Sequence, residues 1–205
     1  MSLPDQTLRI GLFGGSFDPI HEGHLSIAKK AIEQFRLNRV LFIPAAQSPL
    51  KVNSPAASDE DRVEMIRLAI GHNPSFEVST VEIERGGISY SIETAERITC
   101  QNPGAKLFWI IGGDQAKQLD RWRNIEDLVQ KVEFIYLERD DQASLPEVVS
   151  ILTKLHPLQM ERIPTSSTEI RNRAKSGDLP KYFLPGSVFH YIKSRNLYRD
   201  ELTTP

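Results

Sequence analysis

Cysteine is almost missing from this chain: Cys100 is the only one in 205 residues. A single thiol excludes internal disulfides and any one-chain Cys–Cys metal site, and it fits a reducing compartment. Long apolar runs are missing too. No stretch approaches the roughly 18 residues that a membrane span requires, so no membrane partner is expected. Met1 to Arg9 has no positively charged lead followed by an apolar run. No secretory signal is therefore expected, and the expected location is cytoplasmic. Nor is there an excess of one charge, since 25 Lys and Arg stand against 27 Asp and Glu for a net charge of −2. A protein that coats nucleic acid wants a basic surplus, so no nucleic-acid partner is expected. A few cations around one phosphate ligand remain compatible with this balance. Two nucleotide-binding motifs are absent as well, Gly-x-x-x-x-Gly-Lys-Ser/Thr and Gly-x-Gly-x-x-Gly.

The composition itself, 40% hydrophobic and 25% charged, is that of an ordinary globular chain. At this size roughly 70% of the unfolded surface can be buried, with no need of a metal or disulfide. We expect one domain over residues 1–205, with a C-terminal helical part at about 165–199. The oligomeric state stays open, and a homodimer is compatible with everything above.

Strand and helix patterns alternate along the chain. Leu8 to Phe13 is a short apolar run ending at Gly14-Gly15, which reads as a buried strand. His24 to Phe35 places Leu25, Ala28, Ile32 and Phe35 on one helical face. Arg39 to Pro44 reads as a strand, and Ala45 to Ala57 as a loop. Ser58 to Ile70 reads as a helix, capped by Ser58 and favoured by Asp59, Glu60 and Asp61 in its first turn. Phe76 to Ile83 alternates like a strand, Ser91 to Ile98 is helical, and Leu107 to Ile111 is another buried strand before Gly112-Gly113-Asp114. Asn124 to Gln130 reads as a short helix and Val132 to Leu137 as a strand. Beyond these, Pro146 to Leu155 reads as a helix and Gln159 to Ile163 as a last short strand. Thr168 to Lys175 and Pro185 to Asn196 are helices, the latter with Val188, Tyr191 and Ile192 as its apolar face. This order predicts an α/β fold: a doubly wound, Rossmann-like parallel sheet with helices on both faces. Ligands in such folds bind beyond the carboxyl ends of the strands.

Two segments there carry chemistry. Gly14-Gly15-Ser16-Phe17-Asp18-Pro19-Ile20-His21-Glu22-Gly23-His24 leads from the first strand into a helix. Its glycines allow close backbone approach, the helix start offers unpaired N–H groups, and both imidazoles can donate to phosphate oxygens. Gly-Gly is also a common turn, so spacing alone leaves phosphate binding and a structural turn both open. The His-Glu-x-x-His zinc pattern fails, because the second histidine comes one residue early. The other segment, Ile163-Pro164-Thr165-Ser166-Ser167-Thr168-Glu169-Ile170-Arg171, sets hydroxyls at a helix start with a cation one turn in. It makes either an anion cradle or simply a good capping sequence. Both segments can end at the same sheet edge and close on a triphosphate from two sides.

Gly14-Gly15-x-Phe17-Asp18-Pro19-x-His21-x-Gly23-His24 together with Ser166-Ser167-Thr168-x-Ile170-Arg171 resembles the nucleotidyltransferase superfamily that carries an H-x-G-H signature. Within it, the chain is similar to the bacterial nicotinate-nucleotide adenylyltransferases, from Ile10 to Tyr198. Further matches are Pro44 to Lys51, Gly87-Ile88-Ser89-Tyr90-Ser91, Ile111 to Asp114, Leu119-x-x-Trp122 and the stretch from Leu184-Pro185 to Tyr198. The resemblance implies attack by the 5′-phosphate of nicotinate mononucleotide on the α-phosphorus of ATP, giving deamido-NAD and pyrophosphate. It implies Mg²⁺ bridging the ATP phosphates, with no metal ligand set of the protein's own. By the same resemblance, His21, His24 and Arg171 are the catalytic groups, with Arg171 on the leaving pyrophosphate. Gly14, Gly15, Ser16, Phe17, Ser166, Ser167 and Thr168 would bind ATP. Lys51, Tyr90, Ser91, Asp114 and Trp122 would bind the mononucleotide, with Tyr90, Ser91 and Trp122 around the pyridine ring.

Some positions depart from the family pattern. Leu50 stands before Lys51 where the family usually has His. Ser91 replaces Thr, Arg123 follows Trp122 where an aromatic is frequent, and Glu138-Arg139-Asp140 stands where Arg-Pro-Gly is common. The rival acceptors within the superfamily are nicotinamide mononucleotide and phosphopantetheine. A class I aminoacyl-tRNA synthetase is disfavoured by the lack of a Lys-Met-Ser-Lys-Ser-like loop. A non-catalytic nucleotide sensor could have lost the histidines or Arg171, and this chain keeps them all.

Overall fold

The computed structural model describes residues 7–49, 53–137, 154–161 and 163–199. Its centre is a sheet of six parallel strands in the order β3-β2-β1-β4-β5-β6. The strands are β1 (Arg9–Gly15), β2 (Arg39–Pro44), β3 (Phe76–Val78), β4 (Lys106–Ile111), β5 (Val132–Leu137) and β6 (Leu155–Leu158). The chain winds outward from β1 to β3, then crosses back to β4 and winds the other way. The order therefore switches between β1 and β4, and the crevice of a doubly wound fold opens at their carboxyl ends. The sequence places Gly14-Gly15 and Gly112-Gly113 there.

Each central strand feeds two cores because successive side chains point to opposite faces. Phe13, Val40, Phe42, Phe108, Ile110 and Ile135 face one cluster, which includes Ala28, Met65, Ile66, Ile170, Val188 and Ile192. That side is covered by α1 (Glu22–Phe35), α2 (Asp59–Ile70), α7 (Ser167–Lys175) and α8 (Gly186–Ser194). Ile10, Leu12, Leu41, Ile43, Leu107, Trp109, Ile111 and Phe134 face the other cluster. There they meet α3 (Val81–Arg85), α4 (Ser91–Gln101), α5 (Gly113–Ala116), a 3-10 turn (Leu119–Arg121) and α6 (Ile125–Lys131). Burial on both faces is why these strands read as unbroken apolar runs. Among the described residues, no helix is long and apolar enough to cross a membrane.

Two expected elements differ. The alternation from Phe76 to Ile83 is a strand only as far as Val78. β3 pairs with Val40 to Phe42 alone, and the chain then turns into α3, whose Val81 and Glu82 are buried together. Glu84 N–H donates to Thr80 O at 2.8 Å and Gly86 N–H to Glu82 O at 3.0 Å, helical bonds that the alternating letters conceal. The last strand is Leu155–Leu158 rather than Gln159 to Ile163. It contains Pro157, which an edge strand tolerates because, among the described residues, no further strand needs its missing N–H. Residues 146–153 of the helix read from Pro146 to Leu155, and Glu138-Arg139-Asp140, lie outside the described residues, while Leu155 opens β6. The other helices differ by a few residues at their ends.

A buried guanidinium joins the first two loops. Arg62 of α2 is 0% exposed and donates to Ser16 O and Ala45 O, both at 2.7 Å, and to Asp59. It ties the loop after β1 to the loop after β2. Asp61, one residue earlier, accepts from the Tyr191 hydroxyl at 2.8 Å and pairs with Arg195 at 3.2 Å, fixing α8 on α2. Replacing Arg62 with Met leaves two carbonyls without donors. Arg62→Met should lower the free energy of unfolding by about 3 kcal/mol, measured by urea denaturation. A loss below about 0.5 kcal/mol would show that neither loop depends on it.

Candidate active site

The loop after β1 brings its histidines into a fixed pair. His21 is the N-cap of α1 in extended conformation. Its carbonyl accepts from the His24 N–H at 2.9 Å, and its own N–H donates back to His24 Nδ1 at 3.2 Å. With Nδ1 accepting, His24 carries an N–H at Nε2. The two imidazoles stack with centroids 3.7 Å apart and planes 28° apart. Phe17 and Phe13 meet the His24 ring edge-on at 5.0 and 5.8 Å, so its orientation is set by packing. Gly23 makes the stack feasible, since a Cβ there would lie 3.0 Å from His21 Nδ1 and 3.1 Å from a methyl of Thr165. His21 itself is 7% exposed, and its Nδ1 is buried with no hydrogen-bond partner. Burial lowers its pKa from 6.5 to about 4, so the ring is neutral at neutral pH.

The distant serine-rich segment arrives at this same loop. Ser167 Oγ donates to Pro19 O at 2.9 Å. Arg171 donates to Asp18 O at 2.7 Å and to Thr168 Oγ1 at 3.3 Å, and lies 3.8 Å from Asp18 Oδ2. Ser166 caps α7 by accepting from the Glu169 N–H at 3.2 Å, so its hydroxyl serves as the cap its sequence context suggested. The N-termini of α1 and α7, each with unpaired N–H groups and a positive dipole end, thus converge. Phe17 has φ 47 and a buried side chain, turning the backbone of Gly14 to Phe17 across the loop. Gly15 is also needed for packing, because a Cβ would come within 3.2 Å of the Phe17 ring.

Of the residues assigned to a mononucleotide, Tyr90 and Ser91 lie beside the loop after β2, while Asp114 and Trp122 follow β4. Gln47 and Ile88 form an isolated bridge, Ser89 N–H donates to Gln47 O at 2.8 Å, and Ala46 N–H donates to Ser89 Oγ at 3.0 Å. The loop after β2 is thereby joined to Tyr90, which precedes α4, and to Ser91, its first residue. Asp114 lies exposed in the first turn of α5, just beyond β4. Trp122 sits in a turn whose charged neighbours Asp120, Arg121 and Arg123 are exposed, yet its own side chain packs inward. It is half-buried and meets Trp109 and Phe134 edge-on, each at 6.1 Å, with Nε1 buried and unpartnered. Arg123 instead lies over the Tyr90 ring, 4.4 Å from its centroid. Lys51 and Leu50 lie outside the described residues.

Several functional supports escape sequence reasoning. Asp18 is quoted in the glycine–histidine motif with no role, yet it is a buried junction: it accepts from Ala56 N–H, Ala57 N–H and the Tyr198 hydroxyl. Glu82 is a buried carboxylate that accepts from the Thr94 hydroxyl at 2.6 Å; burial raises its pKa against hydrogen bonds from Thr94 and Ser89. It steadies the turn bearing Tyr90 from beneath. For Arg62 a signal existed: it shares a helical face with Met65 and Ile66, which marks a cation pointing inward. Among the described residues, no group of three or more His, Cys, Asp or Glu could hold a metal ion.

The family model described as cytidylyltransferase-like matches residues 12–173, which contain both motifs. The "Probable nicotinate-nucleotide adenylyltransferase" of Opitutus terrae is 46% identical over 94% of this chain and 98% of its own length. The protein of the same description from Methylacidiphilum infernorum is 43% identical over 94% of this chain and 93% of its own length. In fold, the chain is similar to the solved nicotinic acid mononucleotide adenylyltransferase of Plasmodium falciparum complexed with NaAD. That match has a TM-score of 0.76 at 19% identity, over 93% of this chain and 97% of the other. A cytidylyltransferase-like match across both motifs and such identity over nearly the whole length place the chain in one family: it belongs to the nicotinate-nucleotide adenylyltransferases.

Proposed function

We propose that this chain transfers the adenylyl group of ATP to nicotinate mononucleotide, yielding deamido-NAD and pyrophosphate in NAD biosynthesis. The observation that carries the reading is the junction of Ser167 and Arg171 with Pro19 and Asp18. It puts two imidazoles, a guanidinium and two helix N-termini at one edge of a sheet, where a polyphosphate has donors on either side. Curated relatives described by this activity are 46% and 43% identical over 94% of the chain.

The reaction needs positioning more than covalent help. An oxygen of the mononucleotide 5′-phosphate attacks the α-phosphorus, and the bond from that phosphorus to the β-bridging oxygen breaks. The electron pair leaves with pyrophosphate. In our reading, His24 donates from Nε2 to the α-phosphoryl oxygens. His21 supports it as a neutral donor and fixes its ring by stacking. Arg171 exchanges the Asp18 carbonyl for the leaving pyrophosphate, a charge-assisted and stronger partner. Thr168 orients that guanidinium, while Ser166 and Ser167 serve through the start of α7. Gly14, Gly15, Ser16 and Phe17 line the nucleotide with backbone. Tyr90, Ser91, Asp114, Trp122 and Lys51 receive the mononucleotide, Trp122 with the part of its indole that is not packed on the core. We propose Mg²⁺ as the cation of the ATP phosphates; when bound it would offset part of their charge. Both oxygens of Asp18 are taken by Ala56, Ala57 and Tyr198, so that carboxylate is not assigned to the metal.

Pyrophosphate release from ATP with nicotinate mononucleotide tests the activity; silence with both pyridine mononucleotides would contradict it. His24→Ala should cost on the order of 10²–10³ in turnover while the protein still folds and unfolds cooperatively. Full turnover in that variant would remove His24 from the chemistry. Stability offers a second check. His21 is neutral in the folded state down to about pH 4, whereas the unfolded chain protonates it near the usual 6.5. Its contribution is complete above pH 6.5 and is lost as pH falls from 6.5 toward 4. His21→Asn should flatten this part of the stability profile. An equal slope in the variant would place the acid sensitivity elsewhere.

A further inference from the structure

We infer that Tyr198 is a positioning residue: by donating to Asp18 it keeps the guanidinium of Arg171 off that carboxylate and free for a polyphosphate. This inference rests on the proposed function, in which Arg171 takes the leaving pyrophosphate, and names the group that holds the arginine ready.

Two guanidiniums, Arg171 and Arg62, act electrostatically on the Tyr198 phenol beside Asp18. Arg62 is held by Ser16 O, Ala45 O and Asp59, so Arg171 is the one able to move. Yet Arg171 stays 3.8 Å from Asp18 Oδ2 and bonds to the Asp18 carbonyl instead, at 2.7 Å. A buried carboxylate short of donors would draw it in, because a charge-assisted pair is the stronger bond. Asp18 is already satisfied by other groups. Ala56 N–H donates to Oδ2, while Ala57 N–H and the Tyr198 hydroxyl donate to Oδ1. Of these three donors, Tyr198 alone is a side chain.

The backbone at Tyr198 is bent to deliver that phenol. Its φ is 67, in the left-handed region that a bulky residue enters only where its surroundings impose it. Burial and the Asp18 charge push the phenol above its ordinary pKa, so it keeps its proton and goes on donating.

The plainer role for Tyr198 is an anchor for the C-terminal turn. The two roles separate by ligand. Loss of an anchor loosens the loop after β1 for any nucleotide. Loss of the donor to Asp18 weakens only ligands that need Arg171.

The test measures, by calorimetry, the affinities for a non-hydrolysable ATP analogue and for AMP, which lacks the β- and γ-phosphates. The proteins are the wild type, Tyr198→Phe, Arg171→Ala and the double variant. The ratio of the two affinities is unaffected by a smaller folded fraction, which scales both equally. Tyr198→Phe should lower the preference for the ATP analogue over AMP about fivefold. In the Arg171→Ala background the same substitution should leave that preference unchanged. An unchanged preference in Tyr198→Phe, or an equal fall in both backgrounds, overturns the inference and leaves the proposed function in place. A wild type that binds neither nucleotide, or binds both alike, overturns the reading of Arg171 as well.

Discussion

A buried carboxylate holds the candidate active site together. Asp18 is 4% exposed, and burying its charge is costly unless every oxygen finds a donor. Here the donors come from well-separated parts of the chain: Ala56 N–H at 2.8 Å, Ala57 N–H at 3.1 Å and the Tyr198 hydroxyl at 2.8 Å. Arg171 adds a hydrogen bond to the Asp18 carbonyl and a longer ionic contact. Burial and the neighbouring carboxylate push the Tyr198 phenol well above its usual pKa, so it stays protonated and keeps donating. The loop that carries Phe17, His21 and His24 is thereby fixed to the segment before α2, to α7 and to the C-terminal turn.

The junction also concentrates positive potential. The starts of α1 and α7 present positive dipole ends, and Arg171 brings a full charge. Such an arrangement is unfavourable with nothing to neutralise it. Asp18 offsets part of it in the ligand-free protein, and Arg62 holds the next loops in register through Ser16 and Ala45. A polyphosphate would complete the compensation, and Arg171 can follow it because its short hydrogen bond is to a neutral carbonyl, with the Asp18 carboxylate oxygen only at 3.8 Å. Binding and catalysis then draw on the same donors, with little rearrangement beyond one side chain.

The sequence makes the sheet legible because its strands are buried on both faces and read as apolar runs. Leu107 to Ile111 and Val132 to Leu137 need no other clue. β3 and β6 are less legible for physical reasons. Val81-Glu82-Ile83 alternates in hydropathy while folding as a helix, and β6 carries a proline that discourages a strand reading. At the site, the glycines, histidines, hydroxyls and Arg171 stand out as a pattern. The role of Asp18 does not, since two of its donors are backbone N–H groups that carry no residue signature and the third lies near the end of the chain. Ser166 and Trp122 show the converse limit: residue type suggests chemistry, and local geometry turns the one to capping and much of the other to packing.

The most direct test of the account is a crystal structure of the protein with a non-hydrolysable ATP analogue. One polyphosphate is expected between His24 and the guanidinium of Arg171, with Arg171 moved from the Asp18 carbonyl to a phosphate oxygen. Phosphates bound away from α7, with Arg171 still on Asp18, would contradict it.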